Sequence, residues 1–246
     1  MIALIDADSI IYRVGFVLEE KLDFKEYDNE CDIETTYYID IELAKLKIAN
    51  LLDTIQNRTM CSDMLVVVSG KKNFRYDVDA TYKHNRTNRK PTGYQEMYNY
   101  LTTFNSVVTD GYEADDYVVY LKTKYPNDYV LCAIDKDVLY QTVGNHYNYM
   151  KEEWVKVTEA EATRFFWYQV IVGDVTDGYP GLPKVGKKGA ELILNTVTSS
   201  SDYRQVVLKE FLGRGFDEDY FLTQCRLASM HQLKDVNEGI SIVLYN

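Results

Sequence analysis

The chain lacks a long apolar run, a CxxC pair, a low-complexity tract and an internal repeat. Without the first, no helical membrane span is expected. Cys31, Cys61, Cys132 and Cys225 are scattered, so they read as reduced thiols, and a cytoplasmic protein is expected. His84, His146 and His231 show no ligand spacing and read as structural or surface residues. Met1 leads straight into a strand-like run with no basic or cleavable apolar stretch, so no leader is expected. Positive charge is also short: 27 Lys and Arg against 38 Asp and Glu give a net charge of −11. A nucleic-acid binder of that sign must concentrate its cations.

What is present suits one large domain, or one with a smaller attachment: 246 residues, 46% hydrophobic and 26% charged. The cations are concentrated. Lys71, Lys72, Arg75, Lys83, Arg86, Arg89 and Lys90 face only Asp77 and Asp79 over residues 71–90, and Lys184, Lys187 and Lys188 form a second zone. Either zone alone reads as a solvated face.

Strands are expected at 2–5, 65–68, 129–134 and 240–244, and a small hairpin at 145–157. Helices are expected at 9–17, 94–104, 202–212 and 217–232, and at 41–56, where Ile41, Ala44, Ile48, Leu51 and Leu52 share a face. Residues 19–36 read as a polar connection, and 71–92 lack apolar periodicity. Thr109-Asp110-Gly111 is a turn, and Glu113 opens a helix with Ala114, Val118 and Leu121 as its stripe and Pro126 as its stop. Thr158-x-x-Glu161 is a capping box for a helix reaching Val172. Strands alternating with helices predict an α/β fold with a mostly parallel central sheet flanked by helices. Ligands of such sheets sit beyond the carboxyl ends of the strands.

Four acidic clusters each follow an apolar run: Asp6 and Asp8; Glu113, Asp115 and Asp116; Asp135 and Asp137; Asp174 and Asp177. Any one cluster reads as helix-end or turn chemistry. All four together predict an all-oxygen site for Mg²⁺ or Mn²⁺, and a pair of such ions suits phosphodiester hydrolysis. Gly181-Leu-Pro-Lys-Val185-Gly186-Lys187-Lys188-Gly189 reads as a tight hairpin whose amides and lysines meet a phosphate at a helix start. Phe74-Arg75 and Tyr82-Lys83-His84-Asn85-Arg86 place cations beside aromatics, suited to gripping a scissile phosphate and stacking a base. The 22 tyrosines add to that stacking potential, beside their amphipathic use in cores.

In this order, from residue 2 to about 195, the motifs resemble the flap-endonuclease family of structure-specific 5′-nucleases, the phage 5′→3′ exonucleases above all. The matching runs are Asp6-Ala-Asp8-Ser, Asn73-Phe-Arg75, Tyr82 to Arg86, Lys90-Pro-Thr-Gly-Tyr94, Glu113-Ala-Asp115-Asp116, Asp135-Lys-Asp137 and Gly173-Asp174-Val-Thr-Asp177. The resemblance implies a PIN-like 5′-nuclease core at 1–165, with a basic helical arch at 71–100. It also implies a helical part at 166–246 carrying a helix–hairpin–helix-like element at 178–190.

By the same resemblance, Asp6, Glu113, Asp115 and Asp116 hold one side of a two-ion cluster, and Asp135, Asp137, Asp174 and Asp177 the other. Lys83 and Arg86 are its basic catalytic pair. Arg75, Tyr82, Arg89, Lys90, Gly181, Val185, Gly186, Lys187 and Lys188 are expected on DNA, with K⁺ at the hairpin. The implied substrates are 5′ ends, flaps and nicks in DNA or RNA–DNA hybrid, and the products carry 5′-phosphates. No obligate protein partner is expected. A phage origin would place the protein in a bacterial host's cytoplasm.

One departure stands out: after Val66-Val67-Val68 the family usually has an Asp, and here Ser69 and Gly70 follow. Asp8, one residue pair beyond Asp6 along an extended strand end, is the expected substitute. A rival reading is a haloacid-dehalogenase-type phosphatase, with Asp6 as nucleophile, Asp8 as acid, Ser69 in its second motif and Asp174 and Asp177 in its last. It leaves Glu113-Ala-Asp115-Asp116, Asp135-Lys-Asp137 and both basic zones without a role. A third is a DNA-binding module whose metal site has decayed, against which the retained carboxylates argue.

Overall fold

The computed structural model describes residues 1–24, 34–86, 89–236 and 239–246. Cys31 and residues 25–33 of the expected polar connection lie outside the described residues. Strands β1 (Ile2–Asp6), β4 (Asp63–Val68), β5 (Ser106–Val108) and β6 (Tyr129–Ala133) lie parallel. They join β7 (Gly144–Asn148), parallel to β6, and β8 (Glu153–Val157), antiparallel to β7, in the order β5-β4-β1-β6-β7-β8.

The central strands are continuous apolar runs because both their faces are covered. Ala3, Ile5, Val66, Val68, Val130 and Cys132 point into one core, packed under α1 (Asp8–Leu18), α2 (Ile41–Thr59) and α4 (Tyr94–Leu101). Their neighbours Leu4, Val67, Leu131 and Ala133 point into the other, under α5 (Ala114–Lys124) and α6 (Lys136–Gln141). Register follows from that alternation, since a slip of one residue would exchange the two faces. A third core joins α7 (Glu159–Val172), α8 (Lys187–Leu194), α9 (Tyr203–Gly213) and α10 (Glu218–Ala228) around Trp167, Phe211 and Phe221.

Helix starts follow local chemistry. The Asp40 carboxylate accepts from the Leu43 amide at 3.0 Å to open α2, and Thr158 and Glu161 form the capping box of α7. Three elements depart from the sequence expectation. The polar connection contains a two-stranded ribbon, β2 (Glu20–Phe24) paired with β3 (Glu34–Tyr38). Helix α6 follows Asp135 directly. Near the carboxyl end, β9 (Leu233–Val236) pairs with β10 (Gly239–Ile242). In the segment expected as an arch, the described residues hold one short helix, α3 (Arg75–Val78), then turns up to α4.

From β1 the chain crosses to β4 and β5 on one side, then returns to β6 and β7 on the other. The carboxyl ends of β1 and β6 therefore flank the point where strand order reverses, which is where such sheets leave a crevice. Asp6 ends β1, and Asp135 stands just past β6.

Candidate active site

The crevice is an open cleft of about 480 Å³ with Arg86, Asp135, Lys136, Asp137, Asp174 and Asp177 among its walls. Asp6, near enough to the Asp135 of this cleft to feel its charge, is buried, and its Oδ1 has no hydrogen-bond partner. Burial, then the charges of Asp8 and Asp135, push the Asp6 carboxyl well above the usual carboxylate range. Asp115 is pushed up in the same way by burial, Asp6 and Asp135. Asp135 is raised by burial and by Asp177 and Asp174; its edge is open to solvent although protein crowds its other sides. These side chains come from α5 and from the ends of β1 and β6, and they feel one another's charge. The sheet therefore gathers acidic clusters that are distant in sequence.

Cations are interleaved with the acids. Lys83 Nζ donates to Glu113, and the Tyr82 hydroxyl bridges Glu113 at 3.1 Å and Asp177 at 3.0 Å. Arg86 donates to Asp177 at 2.5 Å, and Lys136 to Asp174 at 3.1 Å. Burial raises Glu113, but Lys83 and Arg75 outweigh it and hold the carboxyl below its ordinary range. Asp137, hydrogen-bonded by Gln169 at 2.7 Å, is pushed up to about 7 by burial and Asp135. Backbone geometry docks the basic turn here: Lys83 takes a left-handed φ of 57°, and its amide donates to the Asp177 carbonyl at 2.8 Å.

Among the described residues, no three acidic, His or Cys groups close to the spacing of a ready-made metal cage. The donor set still fits hard divalent ions. It is all oxygen, Asp6, Asp115 and Asp135 repel one another, and an orphaned Asp6 oxygen is buried among them. Cations of +2 charge would relieve that repulsion.

Ser69, which the sequence presents only as a missing Asp, ties the site together. Its amide donates to Asp8 Oδ1 at 2.9 Å, and its hydroxyl accepts from the Ala114 amide at 2.8 Å. It thus joins the end of β4 to the first residues of α1 and α5. Asp8 does not extend β1 as expected: Ala7 turns into helical conformation and Asp8 begins α1. Lys136 is a second residue the motif reading passed over, although its place between Asp135 and Asp137 is a signal.

Several expected site residues sit elsewhere. Asp116 has no accessible side-chain surface and receives two 2.7 Å hydrogen bonds from Arg75, itself fully buried. Both Asp116 oxygens are thus taken by a cation with no solvent access on either side, so Asp116 is corrected from ion ligand to ion-pair partner and Arg75 from DNA contact to core residue. Tyr82, 2% exposed, cannot stack a base. Val185 belongs to the third core, and Gly181 is buried with its amide on Gln224 at 2.9 Å. Arg89 pairs with Glu19 and lies over the Tyr37 ring at 3.7 Å, and Lys90 lies over Tyr94 at 3.9 Å. Gly186, Lys187 and Lys188 are exposed at the start of α8.

Residues 1–166 match the family model described as 5′-3′ exonuclease, N-terminal resolvase-like domain. The flap endonuclease Xni of Pseudoalteromonas translucida (strain TAC 125) is 23% identical over 266 residues, covering 97% of this chain and 95% of that protein. A DNA polymerase I of Caldicellulosiruptor bescii is 25% identical over 83% of this chain, which spans 25% of that longer protein. Several solved structures share the fold. A T5 5′-exonuclease with bound zinc gives a TM-score of 0.55 at 18% identity, covering 75% of this chain and 80% of that one. The bacteriophage T5 flap endonuclease in a pseudo-enzyme-product complex with DNA and metal ions gives 0.56 at 16% identity, covering 77% and 80%.

Proposed function

Because this chain belongs to the 5′-3′ exonuclease family through its N-terminal resolvase-like domain and is a nuclease, we propose that it hydrolyses the phosphodiesters of DNA, or of an RNA–DNA hybrid, from 5′ ends, nicks or flaps. The products would carry 5′-phosphates. The observation that supports this reading is the mutual approach of Asp6, Asp115 and Asp135, with Asp135 and Arg86 on the cleft wall and Lys83 near enough to Asp115 to offset its charge. Residues 1–165 are taken as the catalytic core and 166–246 as the part that grips duplex.

Two Mg²⁺ or Mn²⁺ ions would be held by Asp6, Asp8, Glu113 and Asp115 on one side and by Asp135, Asp137, Asp174 and Asp177 on the other. When bound, such ions supply Lewis acidity and make water a stronger nucleophile. The chain's own cations do the rest. Burial pulls the Lys83 ammonium down, yet Glu113 and Asp177 outweigh it and hold it above its ordinary value, so it stays protonated. Its Nζ and the Arg86 guanidinium are then placed to donate to phosphate oxygens and offset the charge that builds there. Tyr82 holds Glu113 and Asp177 in register from behind. Gly186, Lys187 and Lys188 meet a phosphate farther along the duplex. K⁺ at the 181–189 hairpin would be held by backbone carbonyls, of which Gly181 and Leu182 each already accept one hydrogen bond, from the Tyr220 hydroxyl and the Val185 amide, and keep a second lone pair.

The phosphatase alternative gives way to the family match, and the Ser69 hydroxyl is engaged with the start of α5. A duplex labelled at its 5′ ends tests the proposal. With Mg²⁺ it should shorten from those ends, and EDTA should stop it. Turnover of a chromogenic phosphomonoester without DNA cleavage, or a mobility shift without cutting, would overturn it.

A further inference from the structure

A second cleft shares a wall with the acidic one. Its lining includes an aromatic series: the Tyr140 and Phe165 rings are 5.4 Å apart at 42°, and the Phe165 and Tyr168 rings 6.3 Å apart at 25°. The volume is about 380 Å³, enough for a small planar group. Tyr140 stands at the end of α6, while Phe165 and Tyr168 lie three residues apart on one face of α7.

Two observations tie this slot to the site already described. Tyr140 lines both clefts. Tyr168 lies within the electrostatic reach of Lys136, the cation between Asp137 and Asp174. The acidic residues at the rim are already engaged: Glu161 accepts from Thr158 at 2.7 Å, and Glu191 is paired with Arg164. Lys156 is exposed at the same rim. An aromatic surface whose rim sets Lys156 and Arg164 against Glu161 and Glu191 is complementary to the uncharged face of a base, and Lys136 lies toward the acidic cleft where the attached backbone would run.

We propose that the Tyr140–Phe165–Tyr168 slot stacks an unpaired nucleobase of the substrate strand as its backbone leaves the acidic cleft. This rests on the nuclease reading and extends it to a base-binding site outside the acidic cluster. Stacking uses the π face that every base has, so the site favours unpaired over paired nucleotides without reading sequence.

The test uses duplexes with 2-aminopurine at successive positions of a 5′ or 3′ overhang, titrated with protein in EDTA. One unpaired position should be quenched by the wild type. Tyr140→Ala and Tyr168→Ala should lose that quench and bind the overhang about tenfold more weakly, as expected for one lost stack. Tyr140→Trp should restore both. No quench at any unpaired position, or the same quench in Tyr140→Ala, overturns the slot. Wild-type cleavage of the same duplexes in Mg²⁺ is read separately. Cutting without quench sinks the slot alone, and quench without cutting sinks the nuclease reading alone.

Discussion

Asp116→Asn separates two roles for the acid at the end of Glu113-Ala-Asp115-Asp116. In the fold both its oxygens face the Arg75 guanidinium at 2.7 Å, with no solvent access on either side chain. One oxygen also receives the Glu113 amide at 3.2 Å, closing the start of α5. Arg75 is further held by the Leu227 and Ser229 carbonyls at 3.3 and 2.9 Å, so the pair anchors α5 to the end of α10. Neutralising Asp116 leaves the buried Arg75 cation with only the longer 3.4 Å pairing to Glu113 as counter-charge, and turns an amide N–H toward it. Breaking a buried pair from one side costs about 3–5 kcal/mol, against a typical total of roughly 5–15 kcal/mol. For a chain of this size that predicts a melting temperature lower by roughly 6–20 °C. Thermal unfolding in EDTA measures it. The double variant Arg75→Met with Asp116→Leu should recover part of the loss, because it removes both charges together. A variant that melts with the wild type but no longer cuts DNA would refute the reasoning, and would put Asp116 at the ions instead.

Three further outcomes are expected. Lys83→Ala should lower turnover by at least tenfold while DNA affinity, read by anisotropy, changes little; an equal loss in both would make Lys83 a docking residue. Asp135→Asn should abolish most cleavage but keep DNA binding, and near-normal nicking would remove Asp135 from the cluster. Burial depresses His146 from 6.5 to about 4, with Nε2 donating to the Thr142 carbonyl and Nδ1 buried without a partner. Between those values the unfolded chain takes up a proton that the folded one refuses, so stability is lost as pH falls from about 6.5 to 4. The loss should reach about 3 kcal/mol by pH 4, and urea titrations of wild type and His146→Asn should converge by that amount; parallel curves would contradict it.

The parts of this fold legible in the sequence are those whose signal is local and repeated. Residues 65–68 read as a strand because both faces are buried, and residues 41–56 as a helix because one face is. The β2–β3 ribbon was not legible: its described side chains are exposed, so nothing forces an apolar alternation. Helix α6 escaped for another reason. It has six residues, and its start depends on one bond, from the Asp137 amide to the Asp135 side chain at 2.7 Å.

The candidate site divides along the same line. Spacing shows that an acid lies near a strand end, but it does not show which way that acid points. Asp115 and Asp116 are neighbours on a helix and therefore project about 100° apart; one meets Asp6 and the other meets Arg75. Only Arg75, some forty residues earlier in the chain, decides which is which. Residue type misleads in the same way at Arg75, Tyr82 and Val185, where a cation, an aromatic and an exposed-looking hairpin residue are all buried. Ser69 is the converse. It reads as the loss of a carboxylate, yet its amide and hydroxyl link Asp8 to the helix that carries Asp115. A missing ligand type therefore does not imply a broken site. Where strand ends converge, a residue that holds the Asp8 side chain on one helix and the first backbone amide of another supports the acidic cluster without belonging to it.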